Sequence, residues 1–157
     1  MKLVFNNWVS DPEVAKFMRW NKHNSIDETK EWLNFCESNK NNKEFNDWGI
    51  ILKENNEPIG SIGAFINPEE PNRYEVGYAI GKKYWGQGIA REALNCMINY
   101  FINDIGIKKF IGMHSVDNPA SGVVMEHIGF KSIREGSYQS MDGKIIFKSK
   151  VCYLDIN

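Results

Sequence analysis

Apolar residues follow two different periods in the first half of the chain. After Asp11-Pro12-Glu13, and again after Ser25, they recur at helical spacing, and both starts carry residue types that favour the first turn of a helix. From Asp47 to Ile80 they alternate instead with polar residues or glycine. The pattern therefore predicts helices, the first with Val14, Phe17 and Met18 on one face, and then three strands in an antiparallel meander.

The second half of the chain carries the strongest helical pattern, which begins after Gly88 and ends at Gly106. A strand from Lys109 to Ser115 follows, so this strand should run parallel to the one before the helix, Tyr74 to Ile80. The remaining predicted elements are a helix opened by Asn118-Pro119, strands over Lys131 to Tyr138 and Ile145 to Asp155, and a hairpin turn at Met141-Asp142-Gly143.

These elements predict a mixed α/β fold with a six- or seven-stranded sheet and helices on both faces. The chain has 157 residues, which is the length of one domain, and no repeat or linker divides it. We therefore expect a single domain over residues 1–157.

Charge and cysteine content argue against several classes of function. The chain has 19 Lys and Arg against 20 Asp and Glu, a net charge of −1, so no global basic field attracts nucleic acid or an anionic membrane. No apolar run approaches the ~20 residues that span a bilayer, and the N-terminus has no secretory pattern. Cys36, Cys96 and Cys152 have neither metal-type nor disulfide spacing. We expect a cytoplasmic protein without a metal, nucleic-acid or membrane partner.

The segment from Gly81 to Arg91 is the first candidate for chemistry, because it joins a predicted strand to the long helix. Glycine permits positive φ and the close approach of a ligand, and the N–H groups of residues 86–90 at a helix start favour an anion. The GxxxxGK[ST] pattern is absent, and Arg91 stands where a dinucleotide GxGxxG pattern has its third glycine. A nucleotide-binding protein is therefore disfavoured, while an anion site and a simple two-glycine turn stay open.

Several motifs, in their order along the chain, resemble the GNAT N-acetyltransferase superfamily. They are Glu75 to Ile80, Tyr84 to Leu94, Asp117 to Ser121 and Ile128-Gly129-Phe130. Within the superfamily the chain is most similar to the Rim-type branch of ribosomal-protein alanine N-acetyltransferases, which residues 8–14 and 25–32 also resemble. The resemblance covers nearly the whole chain. It implies a mostly antiparallel sheet whose one parallel pair splays at the centre, about four helices, and a first strand that is short or missing here.

The resemblance implies acetyl-coenzyme A as a co-substrate. The family's pyrophosphate loop corresponds to Trp85-Gly86-Gln87-Gly88-Ile89-Ala90, in which Trp85 replaces the usual leading Gln or Arg. Pantetheine is expected between the splayed strands, along the backbone of Tyr78, Ala79 and Ile80. Asn118 matches the coenzyme-binding Asn of the family, although Asn-Pro is also an ordinary helix start. The side chains expected at the coenzyme phosphates are those of Lys83 and Arg91, with Lys82 beside them.

Glu75 is the candidate general base, because an amine is nucleophilic only after it loses its proton. A salt-bridged or exposed strand Glu is the alternative interpretation, and His114 is the alternative base. Ser121 lies in the Asn-x-x-Ser spacing of the Rim-type branch and is the candidate acid for the departing thiolate. Many family members use a Tyr seven residues after the Asn, but Met125 stands there, so Tyr138 and solvent also stay open as the acid.

The predicted reaction is transfer of an acetyl group from acetyl-coenzyme A to a primary amine, by direct attack in a ternary complex. The acceptor, a small molecule or a peptide, stays open, and a homodimer through the terminal strands is plausible. The alternative function is a non-catalytic acyl-coenzyme A-binding module that regulates a partner.

Overall fold

A computed structural model describes all residues, 1–157, and contains one six-stranded sheet. The strand order is β1-β2-β3-β4-β6-β5, and only β3 and β4 are parallel, as predicted. The strands are β1 Phe45–Leu52, β2 Glu57–Ile66, β3 Tyr74–Ile80, β4 Lys109–Ser115, β5 Lys131–Gln139 and β6 Ile146–Asp155.

Five α-helices accompany the sheet, and the two nearest the N-terminus are short. The helices are α1 Lys2–Val4, α2 Pro12–Ala15, α3 Ile26–Ser38, α4 Ile89–Tyr100 and α5 Pro119–Ile128. A π-helical turn over Phe5–Val9 continues α1, and another over Phe101–Ile105 continues α4 until Gly106 ends it with a φ of 82°. A helix at Lys2–Val4 in place of a strand confirms the prediction that the first strand is short or missing.

The prediction for the first long helical stretch was wrong in its extent. α2 ends at Ala15 instead of continuing through Phe17 and Met18. The carbonyl groups that follow are used by the other end of the chain, since Phe17 O accepts from the Tyr138 hydroxyl at 2.7 Å and Arg19 O accepts from Met141 N at 2.6 Å. Met18 N donates to Ala15 O, three residues back, and not to Val14 O, so the α-helical ladder ends where these bonds tie the chain to β5 and the hairpin.

The central parallel pair of strands opens along its length. β3 and β4 pair only at Tyr74–Phe110, Glu75–Ile111 and Val76–Gly112. The remaining residues of the two strands are paired to their outer neighbours, β2 and β6, but not to each other. The result is a slit in the middle of the sheet that begins after Val76, which confirms the predicted splay.

Each face of the sheet has its own core. Leu94 and Phe101 of the α4 segment pack on Val76 and Phe110, on the face that α5 also covers. On the opposite face, Ala79 packs with the N-terminal residues Val4, Trp8, Val9 and Val14. Because side chains alternate along a strand, neighbouring residues of β3 serve different faces. No helix combines the length and the apolar character that crossing a membrane requires.

Candidate active site

The start of α4 presents a row of backbone N–H groups without acceptors. Gly86 and Gly88 have φ values of 72° and 77°, and a Cβ added to either glycine meets no atom within 4 Å. The N–H groups of residues 86–91 donate to no backbone or side-chain acceptor of the protein. Unpaired amides at the positive end of a 12-residue helix form a site for an anion, and the open space at the glycines lets the anion approach the backbone.

The side chains around this helix start are mostly exposed. Lys83, Gln87 and Arg91 are exposed, and Gln87 Nε2 donates to Lys83 O at 3.3 Å, which closes the turn before the helix. Trp85, which stands in place of the expected Gln or Arg, turns its indole Nε1 to Ile80 O at 2.7 Å. Its side chain therefore ties the loop to the end of β3.

Backbone groups of β3 border the slit. Gly81 N donates to Ile59 O at 2.8 Å, so the odd-numbered residues at this end of β3 bond to β2. The backbone groups of Tyr78 and Ile80 therefore point to the side where β4 has diverged. The Ile80 carbonyl already accepts a hydrogen bond from the Trp85 indole. The backbone groups of Tyr78 and the N–H of Ile80 border the gap between β3 and β4. Ala79, between them, is buried and points to the N-terminal helices.

Two predicted residues of α5 lie beside the slit on the α4 face. Asn118 is at the N-cap of α5, as an ordinary helix start predicts. Its side chain makes no capping hydrogen bond, so its amide group has no role in starting the helix. Ser121 Oγ lies 2.9 Å from the hydroxyl of Tyr78 on β3. Burial raises the pKa of Tyr78, and the hydrogen bond with Ser121 partly offsets that rise.

Glu75 lies on the other face, and both of its carboxylate oxygens are bonded. Only 6% of Glu75 is exposed. Oε1 accepts from Arg19 Nη2 at 2.8 Å and Oε2 accepts from Asn67 Nδ2 at 2.7 Å. The salt-bridged alternative is thus realised, and it coexists with a position beside the slit, because Glu75 pairs with Ile111 one residue before the parallel pairing ends.

Asn67 and Arg19 were not predicted from the sequence. Asn67 Oδ1 accepts from the N–H groups of Glu69 and Glu70, so the turn between β2 and β3 fixes the amide that donates to Glu75. An Asn-Pro turn between two strands is a signal that sequence reading could have used. Arg19 had no such signal, because the residues around it come from distant parts of the chain.

The alternative base, His114, and the alternative acid, Tyr138, lie on opposite faces of the sheet. His114 is buried, and its imidazole packs against Gly122 of α5, on the face opposite Glu75. The Tyr138 hydroxyl donates to Phe17 O, and its ring lies under the Arg19 guanidinium, 5.0 Å from the ring centroid. The structure therefore brings Ser121 together with Tyr78, and Glu75 together with Arg19 and Asn67, on opposite faces of the slit.

A sheet that opens beside an unbonded helix start has the architecture of an acyl-coenzyme A-dependent acetyltransferase, and sequence comparison agrees. The chain belongs to the GNAT acetyltransferase family, since the model of the acetyltransferase (GNAT) domain matches residues 1–131. An uncharacterized N-acetyltransferase, p20 of Bacillus licheniformis, is 27% identical over 146 residues, which are 91% of this chain and 81% of the relative. The family and the enzyme class expected from the sequence are confirmed.

Support for the Rim-type branch is narrower. The ribosomal-protein-serine acetyltransferase of Escherichia coli is 35% identical over 82 residues, which are 52% of this chain and 45% of that protein. The branch therefore rests on a partial match, whereas the superfamily rests on nearly the whole chain.

Solved structures share the fold. A GNAT acetyltransferase from Bacillus anthracis superposes with a TM-score of 0.82 at 21% identity, over 98% of this chain and 87% of that one. A spermidine N-acetyltransferase from Vibrio cholerae, solved with coenzyme A and spermine, gives 0.78 at 17% identity, over 98% and 88% of the two chains. These likenesses confirm the predicted fold class.

Proposed function

We propose that this protein transfers the acetyl group of acetyl-coenzyme A to a primary amine, by direct attack in a ternary complex. The observation that carries the proposal is the row of unbonded N–H groups at residues 86–91, next to a slit that begins just beyond Glu75 and Val76. The acetyl-coenzyme A diphosphate binds to these amides, with Lys83 and Arg91 near its charge. The thioester arm enters the slit along the backbone of Tyr78 and Ile80, and Asn118 contacts the carrier with its free amide.

The reaction follows from this placement. The amine nitrogen attacks the thioester carbonyl carbon, a C–N bond forms, and the C–S bond breaks as the tetrahedral intermediate collapses. Glu75 accepts the proton that the amine loses, directly or through one water. Because a thioester is already activated, positioning both substrates in one slit supplies much of the rate.

The Ser121–Tyr78 hydroxyl pair supplies the proton that the thiolate takes. Ser121 lies in the first turn of α5, and the phenol of Tyr78 is bonded to it at 2.9 Å on the donor side of the slit. The pair thus offers a hydroxyl in the region where the family's usual tyrosine is replaced by Met125, which is buried in the α4-face core. Tyr138 is a less suitable acid, because its hydroxyl already donates to Phe17 O.

The experiment is thiol release from acetyl-coenzyme A across a panel of primary amines, with mass spectrometry of the products. We expect release that depends on the amine and matches the acetylated product mole for mole. Coenzyme A binding without release, for any amine, would instead favour the non-catalytic acyl-coenzyme A-binding module. Two further expectations, a homodimer through the terminal strands and a cytoplasmic location, are tested by light scattering and by cell fractionation.

A further inference from the structure

We infer that the acceptor of this enzyme is a small primary amine that carries an anionic group, a carboxylate or a phosphate, and not a polyamine. The inference rests on the proposed function and names the substrate class of the same site. Its starting point is the Arg19–Glu75 ion pair, which lies on the face of the slit that the N-terminal helices cover.

Arg19 is held in place but is not saturated. Both of its side-chain hydrogen bonds, to Glu75 Oε1 and to Met113 Sδ at 3.6 Å, come from Nη2. Its guanidinium rests on the Tyr138 ring, and 37% of the side chain is exposed. The Nε and Nη1 donors thus have no protein acceptor, and a guanidinium with free donors in a fixed plane matches a carboxylate or phosphate.

The two charges of this ion pair differ in their exposure to solvent. Glu75 is 8% exposed at its side chain and Arg19 is 37% exposed. An approaching acceptor meets the positive charge first and the negative charge behind it. A molecule with an amine and an anion complements this arrangement, since its anion binds Arg19 while its amine reaches Glu75. A second positive charge, as in a diamine, meets Arg19 with like-charge repulsion.

A cavity next to α2 has two lysine side chains in its lining. It has a volume of about 140 Å³ and lies between the α2 region and the β5–β6 hairpin. Lys16 and Lys22 line it with apolar Met18 and Phe147, and no carboxylate lines it. Phe147 stacks on the Tyr138 ring that supports Arg19, with ring centroids 4.8 Å apart, so the Tyr138 ring lies between the cavity lining and Arg19.

One nearby carboxylate, Asp142, is stabilised in its charged form by its own turn. It accepts from Ser140 Oγ at 2.6 Å and from Lys144 N at 3.1 Å, and Lys144 Nζ lies 3.6 Å away. These donors lower its pKa to about 2. Asp142 therefore stays anionic, but the lysines around it, Lys16, Lys22 and Lys144, outnumber it.

The test compares amines that differ only at the end remote from the nucleophile. At that end, γ-aminobutyrate carries a carboxylate and aminopropyl phosphate carries a phosphate. Butylamine ends in an uncharged methyl group, and putrescine ends in a second amine. Alanine and alaninamide form a shorter pair with and without the carboxylate. We expect kcat/KM to be roughly 10- to 100-fold higher for an anionic amine than for its neutral partner, the range of a charged hydrogen bond. The carboxylate and phosphate arms identify the preferred anion.

Variants of Arg19 separate this effect from a general loss of activity. In Arg19→Gln the ratio of anionic to neutral kcat/KM should fall to about one, and Arg19→Lys should restore part of it, because lysine keeps the charge. Arg134→Gln is the matched control, since Arg134 forms an ion pair with Glu70 on the same sheet and should leave the ratio as in the wild type. Equal or higher kcat/KM for putrescine in the wild type overturns the inference and leaves the proposed function intact.

A binding measurement decides the matter even if no amine in the panel is acetylated. Acetylated γ-aminobutyrate and N-butylacetamide are product analogues with and without the anion. In the presence of coenzyme A, the anionic analogue should raise the melting temperature of the wild type but not of Arg19→Gln. An equal shift for both analogues, or a shift that survives in Arg19→Gln, contradicts the inference.

Discussion

The two sides of the slit present different kinds of chemical group. On the α4 side, the proposed donor site consists mainly of backbone: the N–H groups of residues 86–91 and the strand edge at Tyr78 and Ile80. On the N-terminal side, the proposed acceptor site consists of side chains from separate segments, with Arg19 and Asn67 each bonded to Glu75. A backbone site tolerates changes in most side chains, whereas a side-chain site can change its ligand through a single substitution.

The largest expected effect tests the backbone site. Gly88→Glu should abolish measurable coenzyme A binding, because it places a negative charge beside the diphosphate and strains a residue at a φ of 77°. Isothermal titration calorimetry measures the change. Gly106→Glu is the matched control, since Gly106 has a φ of 82° and equally open space at the other end of the same helical segment. Undiminished affinity in Gly88→Glu would remove the loop from the donor site.

The next prediction tests the side-chain site. Glu75→Gln should lower kcat by roughly 10²–10⁴-fold if Glu75 is the base, while coenzyme A affinity stays within a few-fold. The single amide oxygen can accept from Arg19 or from Asn67 but not from both, so a thermal melt of the variant accompanies the kinetics as a check on its fold. A pH–rate profile that keeps its wild-type shape in this variant would exclude Glu75 as the base.

These predictions also indicate how far the sequence goes. The glycine spacing before α4 determines a backbone shape, so the helix start could be predicted from local patterns and the parallel pair from the crossover, whereas the slit was expected only from the family resemblance. The hydrogen-bond partners of Glu75 depend on tertiary structure. Arg19 lies more than 50 residues from Glu75 along the chain and Asn67 lies eight residues away, and only the fold brings both side chains to the carboxylate. The early end of α2 was missed for the same reason, because the segment that follows it is bonded to β5 and the hairpin.

A smaller effect is expected from the hydroxyl pair, the part of the donor side that depends on side chains. Ser121→Ala and Tyr78→Phe should each lower kcat by roughly tenfold, below the usual contribution of a general acid, because a thiolate leaves readily. The double variant should be little worse than either single one, since the two hydroxyls act as one bonded pair at 2.9 Å. Pre-steady-state kinetics with one amine measures the chemical step. Losses that multiply in the double variant would contradict a joint role.

The smallest effect on activity is expected at Asp47, which lies outside both sites. Burial raises its pKa to about 6, and its carboxylate accepts from the Cys36 thiol at 3.7 Å, between β1 and α3. Because the folded protein keeps this proton to a higher pH than the unfolded chain, stability should fall as pH rises from about 4 to about 6. Asp47→Asn should flatten this part of the stability curve and leave kcat/KM unchanged. Thermal melts across this pH range provide the measurement, and an equally steep curve in the variant would refute the assignment.

The opening between β3 and β4 has a consequence for inhibitor chemistry. If the carrier and the amine occupy opposite faces of the sheet, each has its own entrance, and neither must leave before the other can arrive. An inhibitor that joins coenzyme A covalently to an amine must then pass one of its ends through the opening between β3 and β4. Such an inhibitor should associate slowly and, once lodged, dissociate more slowly still, so its potency would be set by residence time.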